Sequence, residues 1–455
     1  MSSTDTPEAT PPPGRGRAAF NSIPFRRFAI GRFLGTVGWQ MQSVVVAWWV
    51  FSITNRPLDL GLVGLMHFMP AFLLALVTGN FADRYSRSFI ITIAYLVTGV
   101  CALVLAAMAY TGVHTIGAIF AVLVVIGTAR AFSGPAGAAL VPTLVPRADF
   151  SNAIAWNSSI WQAAMIAGPA LGGIAYSHGG GPTLVFMADA VLCFSAAAFV
   201  SRIRSPRGKL EKEPVTWHTV FAGLKYIWSR KALLGAISMD LFAVLLGGAV
   251  ALLPVFAQDI LKVGPEGLGI LRSAPAVGAV TTALVLTHLP PLKKAGALML
   301  LCVGGFGFAT IVFGLSTSFA LSLVALVALG AFDMISVVVR HTLEQLLTPD
   351  DKRGRVSAVS QVFIGASNEL GEFESGLTAH LFAMIPLVAA GGIVSRGSAE
   401  SNGVVVAVIV GGCGTLVGVA LWAWLFPDLR RFDRIDTHKL PEEVQEEGAV
   451  VRGGN

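Results

Sequence analysis

The sequence predicts an all-α membrane protein with twelve transmembrane helices in two six-helix pseudo-repeat bundles. Three observations predict it. Hydrophobic types make up 54% of the 455 residues and charged types only 13%, against about a quarter in soluble globular chains. Stretches of the roughly 20 apolar residues needed to cross a bilayer recur from end to end, and twelve of them would use about 240 residues. Lysine and arginine collect on one set of the loops between them. The mean hydropathy of +0.71 excludes disorder, collagen and a disulfide scaffold as well.

Residues 1–24 are polar and rich in Pro and Gly (Pro11-Pro12-Pro13-Gly14). They lack the apolar core and cleavage site of a signal peptide, and are expected to be a disordered cytoplasmic tail. Spans 1 to 6 are expected near 28–53, 60–82, 89–110, 115–141, 152–177 and 182–201. Spans 7 to 12 are expected near 232–257, 267–289, 295–315, 319–345, 356–386 and 403–426. Helices are required because lipid offers no partner to free backbone groups. The alternation of a membrane β-barrel is absent. The first bundle is then 25–201 and the second 232–427, with a second cytoplasmic tail at 428–455.

With the N-terminus inside, 25 of the 32 basic residues fall on inner segments. The outer loops hold Arg56, Lys262 and Arg396, and four basic residues lie within spans. This positive-inside split places both termini in the cytoplasm and requires an even number of spans. The basic balance therefore points to a bilayer rather than to nucleic acid. Cys101, Cys193, Cys302 and Cys413 each sit in an apolar run, with no spacing for a metal or a disulfide framework, and are expected to be small buried hydrophobes.

The longest inner loop, 202–231, divides the spans six and six. Trp217, Val220, Phe221, Leu224 and Trp228 recur there at helical spacing, as in a helix lying on the inner membrane face; a simple connector is the alternative. The halves also echo each other. Leu144-Val145-Pro146 matches Leu347-Thr348-Pro349 at the equivalent place, and aligning the prolines sets Arg130 against Asp333. Transporters built from repeats rock around a site near the bilayer midplane.

An ionisable residue at mid-membrane costs about 2.5–3.5 kcal/mol on insertion scales, so it normally faces a cavity or a partner. The spans contain Arg32, Arg130, Asp189, Asp240, Arg272, Asp333, Arg340, Glu369, Glu372 and Glu374. Asp240 and Asp333 are candidates for cycling a proton, since a carboxylate that binds either a proton or cargo is the simplest antiport chemistry. Glu369 and Glu372 are three apart and share a helical face. They either share a proton or place one carboxylate against a partner such as Arg340. Asp189 is expected near the outer interface. His67 and His380 are expected in packing or hydrogen bonding. Trp39, Trp48, Trp49, Trp156 and Trp161 either line a cavity for aromatic cargo or act as core and interface anchors.

Loop 2–3 runs Gly79-Asn80-Phe81-Ala82-Asp83-Arg84-Tyr85-Ser86-Arg87, and span 5 carries Gly168-Pro169-Ala170-Leu171-Gly172-Gly173. A proline kinks that helix while its glycines admit close packing. On these residues the chain resembles the major facilitator superfamily. Gly79, Asp83, Arg84 and Arg87 match its loop 2–3 signature, which in the family latches the two halves. Gly168, Pro169, Gly172 and Gly173 match a run found mainly in its antiporters, which implies export. The stretch Pro349 to Ser357, with Pro254 to Ala257 and Asn368 to Phe373, resembles the transmembrane secretion effector branch, the enterobactin exporter-like group. The resemblance covers about residues 25 to 432. It implies that spans 1, 4, 7 and 10 line the cavity, contributing Arg32, Arg130, Asp240 and Asp333. It also implies that Arg130 influences proton transfer.

No Walker-type phosphate loop, zinc spacing or nucleophile triad is present, so neither an enzyme nor an ATP-driven pump is expected, and no cofactor. The expectation is a monomeric, proton-coupled exporter of a small amphipathic molecule in a bacterial inner membrane. A lipid or lysolipid flippase on the same fold, with an apolar lateral opening between spans, is the first alternative. A sensor or assembly subunit that moves nothing is the second.

Overall fold

A computed structural model describes residues 15–204, 224–289, 294–395 and 398–431; at 15–16, 75–77, 79–80, 82–84, 350–355, 358, 361–362 and 431 it describes the backbone alone. Twelve long helices run through the described residues. The first six are α1 Ile23–Thr54, α2 Pro57–Arg84, α3 Arg87–Thr111, α4 Ile116–Leu140, α5 Phe150–Gly179 and α6 Pro182–Ser201. The second six are α7 Lys231–Leu246, α8 Gly264–Leu286, α9 Ala295–Leu315, α10 Phe319–Leu347, α11 Asp350–Ala383 and α12 Ala399–Leu425.

Local chemistry sets the helix ends. Ser22 caps α1, its hydroxyl oxygen accepting the Phe25 N–H at 3.4 Å, with Pro24 in the first turn. The helix ends at Asn55, which adopts the left-handed conformation (φ 51°). Pro57 and Pro182 open α2 and α6.

Nine of the twelve contain a long apolar window with few charges; α1, α5 and α11 do not. All three have another role. In α1 and α5 it is lining the cavity described below, and in α11 it is carrying Glu369 and Glu372.

Within the first half, α1 packs on α5 and α6, α2 on α4, and α3 on α4 and α6. Within the second, α8 packs on α10, α9 on α10 and α12, and α11 on α7 and α12. The halves repeat in detail. Pro146 and Pro349, the prolines of the sequence echo, have backbone angles of −59°/154° and −57°/152° at the starts of equivalent helical segments.

The halves meet along two symmetry-related crossings, α2 with α11 and α5 with α8. Both depend on glycine. A Cβ on Gly61 would fall 2.9 Å from the Phe373 carbonyl oxygen, and one on Gly376 would fall 2.8 Å from that of Pro57. A Cβ on Gly173 would lie 3.1 Å from the Glu266 Cα, and one on Gly269 would lie 3.2 Å from the Gly173 Cα. These contacts lie toward the end opposite the start of α1 and the end of α12. There a core of Val44, Trp48, Phe51 and Leu60 from the first half meets Leu252, Phe256, Leu271 and Phe313 from the second. The molecule is closed at that end.

Span 7 departs from the expected continuous helix. It breaks after Leu246 at Gly247-Gly248 and resumes through a tight turn at Ala249–Leu252, a short helix and a wide turn at Phe256–Ile260. The break seats against α11, where a Cβ on Gly248 would fall 2.6 Å from the Gly371 carbonyl oxygen. In the linker, 205–223 lie outside the described residues, so Trp217, Val220 and Phe221 are not placed. Residues 224–229 are helical, and the Tyr226 hydroxyl donates to the Leu347 carbonyl at 2.7 Å. Three cysteines are buried, but Cys413 is exposed on α12, contrary to expectation.

Candidate substrate cavity

Below the two crossings lies a cavity of about 400 Å³ whose lining is drawn almost wholly from the first half. Small residues place its functional side chains. Gly127 lets α4 press against the His67 backbone of α2, with a would-be Cβ 3.0 Å from the His67 carbonyl carbon. Arg130, one turn further along α4, then lines the space, as do His67 and Glu369 of α11. Gly35 leaves room on α1 for the Tyr95 ring.

The Arg130 guanidinium lies over the Trp39 ring, 3.5 Å from its centroid, and that of Arg32 over Trp161 at 5.4 Å. The two indoles stack at 6.2 Å with planes 27° apart. The result is a continuous row, Arg32–Trp161–Trp39–Arg130, along one wall. Such contacts contribute about 0.5–2 kcal/mol each, more as water is excluded. Glu369 lies within electrostatic reach of Arg130, Arg272 and Glu372. Arg272 of α8 pairs with Glu372 at 3.8 Å and donates from Nη2 to the Ser43 hydroxyl of α1 at 3.3 Å. That last bond joins the halves just beside the cavity.

The expected site residues thus fall into three groups. Arg32, Arg130 and Glu369 line the cavity, and Arg272 and Glu372 form an ion pair next to it. Asp240, Asp333 and Arg340 do not line it, which corrects the expectation that α7 and α10 supply its charges. Asp240 is instead paired with Arg340 inside the second bundle, both nearly sealed, and Asp333 borders a void of about 10 Å³ there with Asp240 and Ser336. Arg340 is therefore the partner of Asp240, not of the α11 glutamates.

Other expectations resolve similarly. Asp189 is fully buried between α1 and α6, accepting the Cys193 S–H at 3.4 Å, and is not interfacial. Trp39 and Trp161 line the cavity. Trp48 packs on Tyr176, Trp49 on Phe186 and Trp156 on Phe20. Gly172 packs on α1, where a Cβ would fall 3.0 Å from the Met41 Cα, and Gly173 packs on α8. Pro169 also faces α8, across from Gly269. Gly79, Asp83 and Arg84 lie in the backbone-only segment. Arg87 is buried and donates to the Ala139 carbonyl at 2.8 Å, tying loop 2–3 to the end of α4 in its own bundle. Tyr95 and Asn157 line the cavity unforeseen. The signal for Asn157 is that it lies one turn from Trp161 on α5.

Residues 16–395 match the family described as transmembrane secretion effector. The chain belongs to that family. The enterobactin exporter EntS of Escherichia coli O1:K1 is 25% identical over 336 residues, covering 74% of this chain and 80% of that one. EntS of a Shigella boydii strain matches equally. The fold of this secretion effector is that of solved major facilitator-type transporters. A bacterial homologue of the lysosomal transporter Spinster superposes with a TM-score of 0.67 at 14% identity, covering 90% of this chain and 98% of that one. A bacterial homologue of the iron transporter ferroportin gives 0.65 at 16%, with the same coverage. The secretion effector is accordingly a multi-pass membrane transporter and not an enzyme.

Proposed function

We propose that this chain exports a small amphipathic molecule across the bacterial inner membrane in exchange for protons, by alternating access. The single observation that carries the reading is the cavity, with two arginines and a glutamate at mid-span, closed at one end by the α2–α11 and α5–α8 crossings. With the termini in the cytoplasm, as the basic loops require, the closed end faces outward. The cavity is then poised to load from inside. The likeness to an enterobactin exporter favours outward movement. Glu369, within electrostatic reach of Arg130 and Arg272, is the carboxylate best placed to exchange a proton, because a proton and a cargo group that bonds to the carboxylate compete for it. Asp240 and Asp333 are the second candidates, acting when the bundles rock.

The experiment is efflux in everted vesicles, where export appears as accumulation, against a panel of siderophores, dyes and antibiotics with and without an uncoupler. Uncoupler-sensitive accumulation that Glu369→Gln lowers is the expected result. Accumulation driven the opposite way overturns the direction.

One observation favours lipid-like cargo as a second reading. An apolar groove of about 430 Å³ on the flank of α2, α3 and α4 is lined by Phe81, Tyr85, Phe89 and Phe132 and shares Ala94 with the cavity wall. Flux of a labelled lysolipid that ignores the uncoupler would select it.

A further inference from the structure

The cavity has a surplus of hydrogen-bond donors. Arg32 Nε and Trp39 Nε1 belong to lining side chains and are buried without a partner. A buried polar group left unpaired costs about 1–3 kcal/mol, so these two donors favour an occupant that accepts. The indoles sharpen the point. A guanidinium held over an indole keeps its charge, so Arg32 and Arg130 are held in position without being neutralised. Glu369 is the single carboxylate among the described lining residues, against these two guanidiniums. It does not close to ion-pair distance on either, and it is shared with Arg272. Arg272 and Glu372 largely cancel each other. The cavity therefore has net positive character, with its donors unengaged. Between them lie Phe28, Phe68 and the two indoles, surfaces that fit a flat apolar body. The unpartnered Asn157 Oδ1 and His67 Nε2 are acceptors, and leave a place for a ligand hydroxyl.

From this we infer that the cargo is an aromatic anion, an aryl carboxylate or a comparably acidic aryl oxyanion, held by Arg32 and Arg130 with its ring among Phe28, Phe68 and the tryptophans. The inference rests on the transport reading for its physiological sense, but not for its test, which reads binding alone.

The test is calorimetric titration of the full chain in nanodiscs with three probes of matched size: 2-naphthoate, 2-naphthamide and 2-naphthylmethylamine. Charge-assisted bonds are about twice as strong as neutral ones, so naphthoate is expected to bind about tenfold more tightly than the amide, with the amine weakest. Arg130→Gln is expected to erase the preference for naphthoate, and Arg130→Lys, which keeps the charge but not the fork, to restore part of it. The inference is overturned by an amine that binds best, by three equal affinities, by no naphthoate binding at millimolar concentration, or by an Arg130→Gln protein with its preference intact. It is also overturned by a lysine variant no better than the glutamine one, which would assign the loss to folding. If naphthoate is preferred but no vesicle assay shows flux, the export reading fails and the binding class stands.

Discussion

Asp240 and Arg340 show what a single buried pair does in this molecule. They lie on α7 and α10, each nearly sealed from solvent, and are in direct ionic contact. Removing one charge strands the other, and breaking such a pair costs about 3–5 kcal/mol. Asp240→Asn is therefore expected to lower the unfolding midpoint in detergent by many degrees, while the joint change Asp240→Leu with Arg340→Met recovers much of the loss. A lone Asp240→Asn protein as stable as the parent would show the pair to be dispensable for stability. Both residues were visible in the sequence as charges inside spans, and pairing was foreseeable from their mixed signs. Their partnership was not, because helical periodicity tells which residues share a face and not which distant helix that face meets. The same limit hid the neighbours of Glu369. Its shared face with Glu372 follows from their spacing, whereas its place opposite Arg130 depends on α11 crossing into the first half. Arg32 and Trp39 are seven apart on α1, two helical turns, and that common face was readable from spacing alone.

The crossings between helices rest on glycine, and so does the break in span 7. Close helix approach in a bilayer needs small residues because packing, not water exclusion, drives association. A leucine at Gly269 cannot fit against Pro169 and Gly173, so Gly269→Leu is expected to hold the outer end apart and shift the population toward the outward-open form. A cysteine at Ser43, which lies under the crossing against Arg272, reports this. In a background without other cysteines, its labelling by an impermeant maleimide from the outer side should accelerate in the Gly269→Leu protein and stay slow otherwise. Equal rates would mean the α5–α8 crossing does not control access. Most of the helices were legible to within a few residues, since nine of the twelve carry a long apolar run with polar punctuation. The break at Gly247-Gly248 was not, because two glycines inside an apolar stretch leave hydropathy unchanged. The close fit of Gly248 against Gly371 and Ser375 of α11, where the helix breaks, depends on a distant helix that hydropathy does not register.

At the scale of the whole molecule, the proline echo and the two six-helix halves made the architecture legible. No local signal could say which end is closed, because that depends on how the halves tilt together. That tilt is also where the energetics of transport enter. Moving one charge through a membrane potential releases about 2.3 kcal/mol per 100 mV, and about 1.4 kcal/mol corresponds to a tenfold gradient. A neutral cargo exchanged for one proton would thus sustain roughly a 50-fold gradient per 100 mV. A cargo bearing one negative charge, leaving as a proton enters, moves two charges in the favourable sense and would sustain about 3.3 decades per 100 mV. The slope of the steady-state gradient against an imposed potential therefore reports cargo charge and proton exchange together. In proteoliposomes clamped with potassium and valinomycin and held at equal pH, the naphthoate gradient should rise with the steeper slope. Glu369→Gln, if Glu369 carries the proton, should halve it by leaving the anion to move alone. A slope already halved in the parent protein would remove the proton from the mechanism, and a slope of zero would leave a cavity that binds without carrying.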